Sequence, residues 1–144
     1  GGKGVIREKS LNELYTSSKI VIGDTLCKNF DYPYYLSDRV FETTGRNGFI
    51  IHPYIVGIEE LFSTQNVISD SDLISKWHEA DTKYAEIITY PFGNFKYLKY
   101  LIDYFLVNED EREAIRTRGR ERTIRDHTYT SRLNYILETI NENC

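Results

Sequence analysis

Methionine is absent from the chain, and its 144 residues contain only two cysteines, one tryptophan and three prolines. Cys27 falls in a predicted loop and Cys144 is the last residue, which is neither a zinc-ligand spacing nor the framework of a disulfide-rich domain. We therefore expect two reduced thiols and no bound metal. Because position 1 is glycine rather than methionine, we also expect the chain to be a piece of a longer protein.

Long apolar runs and an excess of basic residues are missing as well. No stretch approaches the roughly 20 apolar residues that cross a bilayer, and the first residues, GGKGVIREKS, lack the apolar core of a signal peptide. We therefore predict a cytoplasmic protein without a membrane span. The formal net charge of −4 argues against a nucleic acid as the main partner, because neutralising a phosphate backbone requires a basic surface.

What the chain does contain is the pattern of one α/β domain. Hydrophobic residues make up 40% of it and charged residues 28%, as in soluble globular proteins. Three apolar runs, at 19–22, 49–52 and 86–90, alternate with helical patterns, and this alternation predicts a parallel sheet covered by helices on both faces. After the third run only helical patterns follow, so the domain should end in consecutive helices.

A polar, serine-rich segment at 63–84 interrupts this alternation between the second and third predicted strands. Leu73, Ile74, Trp77 and Tyr84 recur within it near helical spacing, which predicts an inserted amphipathic helix. The single tryptophan can be a stacking platform for a ligand, but on such a helix we interpret it as a packing residue.

The consecutive helices at the end of the chain carry two further patterns. Acidic residues crowd the start of the helix near 110, and its second half holds an arginine series: Arg116, Arg118, Arg120, Arg122 and Arg125. An anionic partner is one interpretation of this series; a solvated helix with i, i+4 ion pairs is the one we favour. The last helix has an apolar stripe that must dock on an apolar surface, formed by Tyr129, Leu133, Ile136, Leu137 and Ile140.

The stretch SDRVFETTGRNGFIIHP at 37–53 is the strongest candidate for a site. It predicts a helix that begins after Ser37, a good N-cap, followed by a glycine turn and a buried strand. One face of the helix carries Arg39, Glu42 and Arg46. A basic residue beside a helix N-terminus suits a phosphate, and a carboxylate one turn further in can accept hydrogen bonds from a ribose diol.

A simpler interpretation of the same helix is a surface ion pair between Arg39 and Glu42, worth at most about 0.5 kcal/mol. Three neighbouring residues are further candidates for the site, and two of them also allow a second interpretation. Asp24 follows a predicted strand, at the edge where ligands bind in open α/β sheets. Lys28, in the loop after it, can face a phosphate or can simply be solvated, and His52 can contact a sugar or phosphate or can cap local backbone.

The sequence resembles GT-B glycosyltransferases of the group 1 family, and within them the bacterial and viral group related to the spore-maturation protein CgeB. The resembling segments occur in the family's order and cover most of the chain: SKIVIGD at 18–24, SDRVFETTGRNGFIIHP at 37–53, GIEELF at 57–62, ITYPFGNFKYLKYLIDYFL at 88–106 and EDEREAIRTRGRERTIRDHTYTSRL at 109–133.

This resemblance implies that residues 1–144 are a single, partial domain: the Rossmann-like C-terminal half of the enzyme, which binds the nucleotide-sugar donor. It implies Glu42 on the donor ribose, the diphosphate at the helix N-terminus, and no metal or cofactor. The diphosphate-binding residues would be Ser37, Asp38 and Arg39. Further residues that could line the donor site are Asp24, Lys28, Tyr34, Gly48 and His52.

The chain also departs from the family. Many retaining GT-B enzymes carry a second glutamate eight positions before the ribose glutamate, and this position is Tyr34 here. The N-terminal acceptor-binding half, where the catalytic base of an inverting enzyme would lie, is missing. We therefore expect a donor-binding domain that is inactive alone and whose catalytic residues are unknown. The alternative is a non-catalytic, Rossmann-like binding or scaffold module.

Overall fold

A computed structural model describes residues 8–24, 35–65, 77 and 81–142. The remaining residues include Lys28, Tyr34 and both cysteines, and most of the predicted inserted helix at 63–84. Those predictions therefore lie outside the described residues.

The described sheet has three parallel strands in the order β1-β2-β3. These strands are β1 (Val21–Ile22), β2 (Ile50–Pro53) and β3 (Ile88–Tyr90). β2 is the central strand and is buried throughout, whereas β1 lies at the edge of the described sheet, where Ile22 is 39% exposed. The predicted parallel sheet is confirmed, although its first strand is shorter and less buried than the apolar run at 19–22 suggested.

The described residues contain six helices. One precedes β1, one connects β1 to β2, a short one follows β2, and three follow β3. In chain order they are α1 (Glu8–Ser17), α2 (Asp38–Gly45), α3 (Ile58–Leu61), α4 (Phe95–Val107), α5 (Glu109–Asp126) and α6 (Tyr129–Glu142). This order confirms the prediction of an α/β domain that ends in consecutive helices.

Apolar clusters cover both faces of the sheet. Ile51 and Ile88 belong to one cluster, with side chains of α4, while the preceding residues Ile50 and Ile87 belong to the other, with Val40 of α2. Successive side chains of a strand point to opposite faces, so each strand contributes to both clusters. Trp77 packs in the first cluster against the α4 tyrosines, which confirms its interpretation as a packing residue.

Close contacts fasten α5 to α2 and to the chain before β3. A Cβ on Gly119 would stand 2.3 Å from the carbonyl oxygen of Glu86, so α5 approaches this backbone as closely as it does because residue 119 is glycine. Further along, the buried hydroxyls of Thr44 and Thr123 form a 2.7 Å hydrogen bond between the two helices. These contacts fix the position of α2, the helix that carries the candidate site.

The arginine series of α5 is only partly solvated. Arg120 and Arg125 are exposed, as expected. Arg118, however, donates hydrogen bonds to the carbonyls of Ala85 (2.8 Å) and Thr82 (3.0 Å), and Arg122 donates to the carbonyl of Leu61 (2.9 Å). The favoured interpretation therefore fails for Arg118, which binds loop carbonyls. It is confirmed in part for Arg122, which forms the expected i, i+4 ion pair with Asp126 at 3.1 Å in addition to its bond to the Leu61 carbonyl.

Candidate functional site

The N-terminus of α2 lies at the ligand-binding edge of the sheet. Because α2 connects the parallel strands β1 and β2, it runs back across the sheet and begins at the carboxyl ends of the strands. Ser37 is extended (φ −67°, ψ 138°), and its hydroxyl accepts a hydrogen bond from the Arg39 N–H at 3.3 Å. The predicted N-cap is confirmed, and the positive end of the helix dipole points toward this edge.

His52 ends up fully buried at the same edge. Its Nδ1–H donates to the Pro53 carbonyl at 2.7 Å, since a carbonyl oxygen can only accept. Nε2 has no hydrogen-bond partner among the described residues. Burial lowers the pKa of His52; the hydrogen bond to Pro53 and the charge of Asp24 oppose this effect, and the charge of Arg39 reinforces it. His52 is therefore a neutral imidazole close enough to Asp24 and Arg39 for their charges to act on it.

Asp24 and Arg39 are thus both within electrostatic range of His52, the third predicted site residue at the carboxyl edge. The hydrogen bond of His52 to the Pro53 carbonyl is a contact with local backbone, which was one of the two interpretations of this histidine. Asp24 also raises the pKa of buried Tyr90, secondary to the effect of burial itself, so its charge acts on two strand ends. A carboxylate, a guanidinium and an imidazole at a helix N-terminus can bind a polar, anionic ligand.

Glu42 lies on another side of α2, in a groove of about 400 Å³. Its side chain is 48% exposed, and its Oε1 is 3.9 Å from the guanidinium of Arg46. No ion pair joins Arg39 to Glu42 within the part of the chain that the structure describes, so the simpler interpretation of this pair is wrong. Asp38 and Arg46 line the groove together with Glu42.

Helix α1 holds Arg46 in place. The Arg46 Nε donates to the side-chain oxygen of Asn12 at 2.8 Å, and its guanidinium lies 5.9 Å from the centre of the Tyr15 ring. A second nitrogen donates to the backbone carbonyl of Glu42 at 3.3 Å. These contacts leave the Glu42 carboxylate as an exposed acceptor on a fixed helix.

The opposite wall of this groove comes from the junction of α5 and α6 and was missed at the sequence level. It consists of Thr123, His127, Thr128, Tyr129 and Arg132. His127 Nε2–H donates to the Leu61 carbonyl at 2.8 Å, while Arg132 lies over the Phe41 ring, with its Cζ 4.6 Å from the ring centre. Tyr129 belongs to the predicted apolar stripe of the last helix, but no periodicity signals the other four, because only the packing of α5 on α2 brings this wall beside Glu42.

Gly48 lies beyond the C-terminal end of α2, away from Ser37. Its N–H donates to the Thr43 carbonyl at 2.8 Å, and a Cβ on it would stand 2.7 Å from the Thr43 methyl group. The structure therefore gives Gly48 a packing role and does not bring it to the other candidates. Lys28 and Tyr34 lie outside the described residues.

Two other kinds of feature are absent from the described ranges. No group of three or more His, Cys, Asp or Glu side chains there is arranged to hold a metal ion. No helix there is both long enough and apolar enough to span a bilayer.

The chain matches a known protein family. The sequence model of a family described as glycosyl transferase-like matches residues 2–138. No curated protein and no solved structure matches the chain. The matched range contains the sheet edge, the whole of α2 and both walls of the groove. The finer resemblance to the CgeB-related group stays a prediction.

Proposed function

Because this chain belongs to the glycosyl transferase-like family, we propose that it is the donor-binding domain of a glycosyltransferase. Its ligand would be a nucleotide-diphosphate sugar, bound at the carboxyl edge of the sheet and along α2. The observation that carries the proposal is the half-exposed Glu42 carboxylate, which lies one turn after the start of a helix whose N-terminus faces the ligand edge.

The diphosphate would bind at the start of α2. The helix dipole and the Asp38 N–H would favour an anion there, since the N–H groups of Arg39 and Val40 already donate to Ser37. The Arg39 guanidinium adds a full positive charge. Asp38 would contact the diphosphate through its backbone N–H alone. Its carboxylate lines the groove beside Glu42, so it would repel the phosphates from the groove and favour their placement near Arg39. As the donor bond breaks, these groups would stabilise the charge that develops on the diphosphate leaving group.

Glu42 would accept hydrogen bonds from the two ribose hydroxyls. A carboxylate with two oxygens suits a vicinal diol, and hydrogen bonds to charged acceptors are stronger than those between neutral groups. Asp24 and His52 would lie on the donor-sugar side of the diphosphate. The Asp24 carboxylate would supply an acceptor for hydroxyl groups on that side, and the buried His52 imidazole would shape it from beneath.

Catalysis would require a second, acceptor-binding half, which we expect to precede this domain in the longer protein. The apolar side chains of α6 support such a partner, because no residue of α6 is buried. Leu133, Ile136, Leu137 and Ile140 are each about half exposed. The catalytic residues would lie across the cleft between the two halves, and this domain would act by binding and orienting the donor.

Calorimetry with UDP, GDP, CDP and TDP and their sugars tests the donor site. We expect one nucleotide to bind selectively, and Glu42→Gln to weaken it about tenfold or more, since two hydrogen bonds lose their charged acceptor. Inorganic pyrophosphate lacks ribose, so its affinity should not change. Glu121→Gln, an exposed carboxylate on α5, is the matched control.

Equal affinity of the unchanged chain and Glu42→Gln for the nucleotide would overturn the ribose assignment. Turnover distinguishes the enzyme from the alternative, a non-catalytic scaffold module. The full-length protein should release the nucleoside diphosphate from its donor, whereas binding without any turnover would favour the scaffold.

A further inference from the structure

Arg132 projects from the first turn of α6 into the groove that holds Glu42. The start of α6 is set by Thr128, whose hydroxyl accepts a hydrogen bond from the Ser131 N–H at 3.1 Å, as an N-cap does. One turn on, the Arg132 guanidinium lies 4.6 Å from the centre of the Phe41 ring. The residue next to Phe41 on α2 is Glu42 itself.

The guanidinium of Arg132 has no ion pair and no hydrogen bond within the described part of the chain. This distinguishes it from Arg118 and Arg122, whose guanidinium groups donate to loop carbonyls. Its contact with Phe41 holds one side of the group by a cation–π interaction, while its N–H donors remain available. An arginine fixed on an aromatic ring beside a groove is well placed to recognise a planar ligand group.

The charges around the groove decide which ligand group fits. Asp38 and Glu42 contribute two carboxylates, and Arg46 and Arg132 contribute two guanidinium groups. A phosphate between two carboxylates would be repelled, whereas a neutral group with hydrogen-bond acceptors and a π face is accommodated. The groove volume of about 400 Å³ lies within the range of small-molecule sites.

The geometry points to Arg132 as the residue that recognises the nucleobase of the donor, an inference that rests on the proposed function. The groove runs along α2 from Asp38 to Arg46, so a nucleotide whose diphosphate lies at the N-terminus of α2 places its ribose at Glu42. Its base then lies against the opposite wall, beside Arg132. There the guanidinium stacks on the base and donates hydrogen bonds to its acceptors. Because a guanidinium only donates, bases with ring carbonyls, such as uracil and guanine, are favoured over adenine.

Calorimetry on the full chain with UDP, GDP, ADP and ribose 5-phosphate separates base from phosphate recognition. Arg132→Ala should weaken the tighter of UDP and GDP at least tenfold and leave ribose 5-phosphate within twofold. Arg132→Lys should recover only part of the loss, since an ammonium keeps the charge but not the planar fork. Arg120→Ala, an exposed arginine on α5, should change nothing.

Three outcomes overturn the inference. Unchanged nucleotide affinity in Arg132→Ala together with a loss in Glu42→Gln would reject the base assignment and leave the donor site standing. Equal losses for the nucleotide and for ribose 5-phosphate would show that Arg132 contacts phosphate or supports the fold. Absence of nucleotide binding by the unchanged chain would remove both the proposed function and this inference.

Discussion

The imidazole of His52 occupies the space into which a side chain at residue 23 would project. A Cβ on Gly23 would stand 2.2 Å from Cδ2 of His52, well inside contact distance. The two residues lie on paired strands, since the Gly23 N–H donates to the Ile51 carbonyl at 2.8 Å. The position directly after β1 must therefore be glycine, because the His52 ring of β2 leaves no room for a side chain there. Together the two residues shape the carboxyl edge of the sheet.

Substituting Gly23 by alanine should destabilise the domain by about 1–3 kcal/mol, because an extra methyl group in a packed site displaces its neighbours. The affected neighbour is the His52 ring, which must leave its hydrogen bond to Pro53. Urea unfolding measures the change. In a His52→Ala background the same substitution should cost much less, and an equal cost in both backgrounds would show that the ring does not cause the effect.

Stability should fall as the solution is acidified through the pH range below about 6.5. Burial lowers the pKa of both His52 and His127 below their ordinary value of 6.5, so the unfolded chain takes up protons that the folded chain does not. Because the unfolded state then binds more protons, the free energy of unfolding decreases with falling pH, by at most about 1.4 kcal/mol per pH unit for each histidine.

Urea unfolding at pH 7.5 and 5.5 checks this dependence. Each of the variants His52→Gln and His127→Gln should show a smaller loss between the two pH values than the unchanged chain. If the loss is the same in both variants as in the unchanged chain, other groups cause the acid sensitivity and the assignment to these histidines is wrong.

The turn after α2 should prefer glycine at position 47. Asn47 has a φ of 60°, and its N–H donates to the Thr44 carbonyl at 2.9 Å, which closes the end of the helix. In this left-handed conformation a Cβ costs roughly 1–2 kcal/mol, which asparagine tolerates better than most residues. Asn47→Ala should therefore lower the free energy of unfolding by about 1 kcal/mol, and Asn47→Gly should be close to neutral.

Thermal unfolding of the two variants side by side is sufficient to test this. Equal melting temperatures for Asn47→Ala and Asn47→Gly would mean that the turn relaxes out of the left-handed conformation.

Local signals accounted for α2 and for the central strand. Ser37 is an N-cap in the structure because its hydroxyl accepts the Arg39 N–H, an interaction within three residues of chain. The strand β2 formed where a β-branched run follows a glycine turn. The extent of β1 was predicted less well, since the sequence at 19–22 does not reveal that the strand lies at an edge of the described sheet and leaves Ile22 exposed.

Long-range contacts account for the other differences. Arg118 and Arg122 resemble surface arginines in sequence, yet each donates to carbonyls that are more than thirty residues away along the chain. A periodicity argument treats one helix at a time and therefore cannot assign such partners. The partner of Glu42 also depends on a distant contact, because the guanidinium of Arg46, 3.9 Å from the Glu42 carboxylate, is held by Asn12 of α1.

The amino-acid sequence by itself determined the α/β class, the cap and direction of α2, and Glu42 as the candidate ribose ligand. These features depend on periodicity and on interactions between near neighbours. Only the tertiary structure decided that Asp24 and Arg39 lie within electrostatic range of His52 at one edge and that Arg132 faces Glu42 across a groove. The first arrangement depends on the pairing of β1 with β2. The second depends on how α5 packs against α2, through the contacts of Gly119 and the Thr44–Thr123 hydrogen bond, and local sequence patterns do not reveal contacts between residues so far apart in the chain.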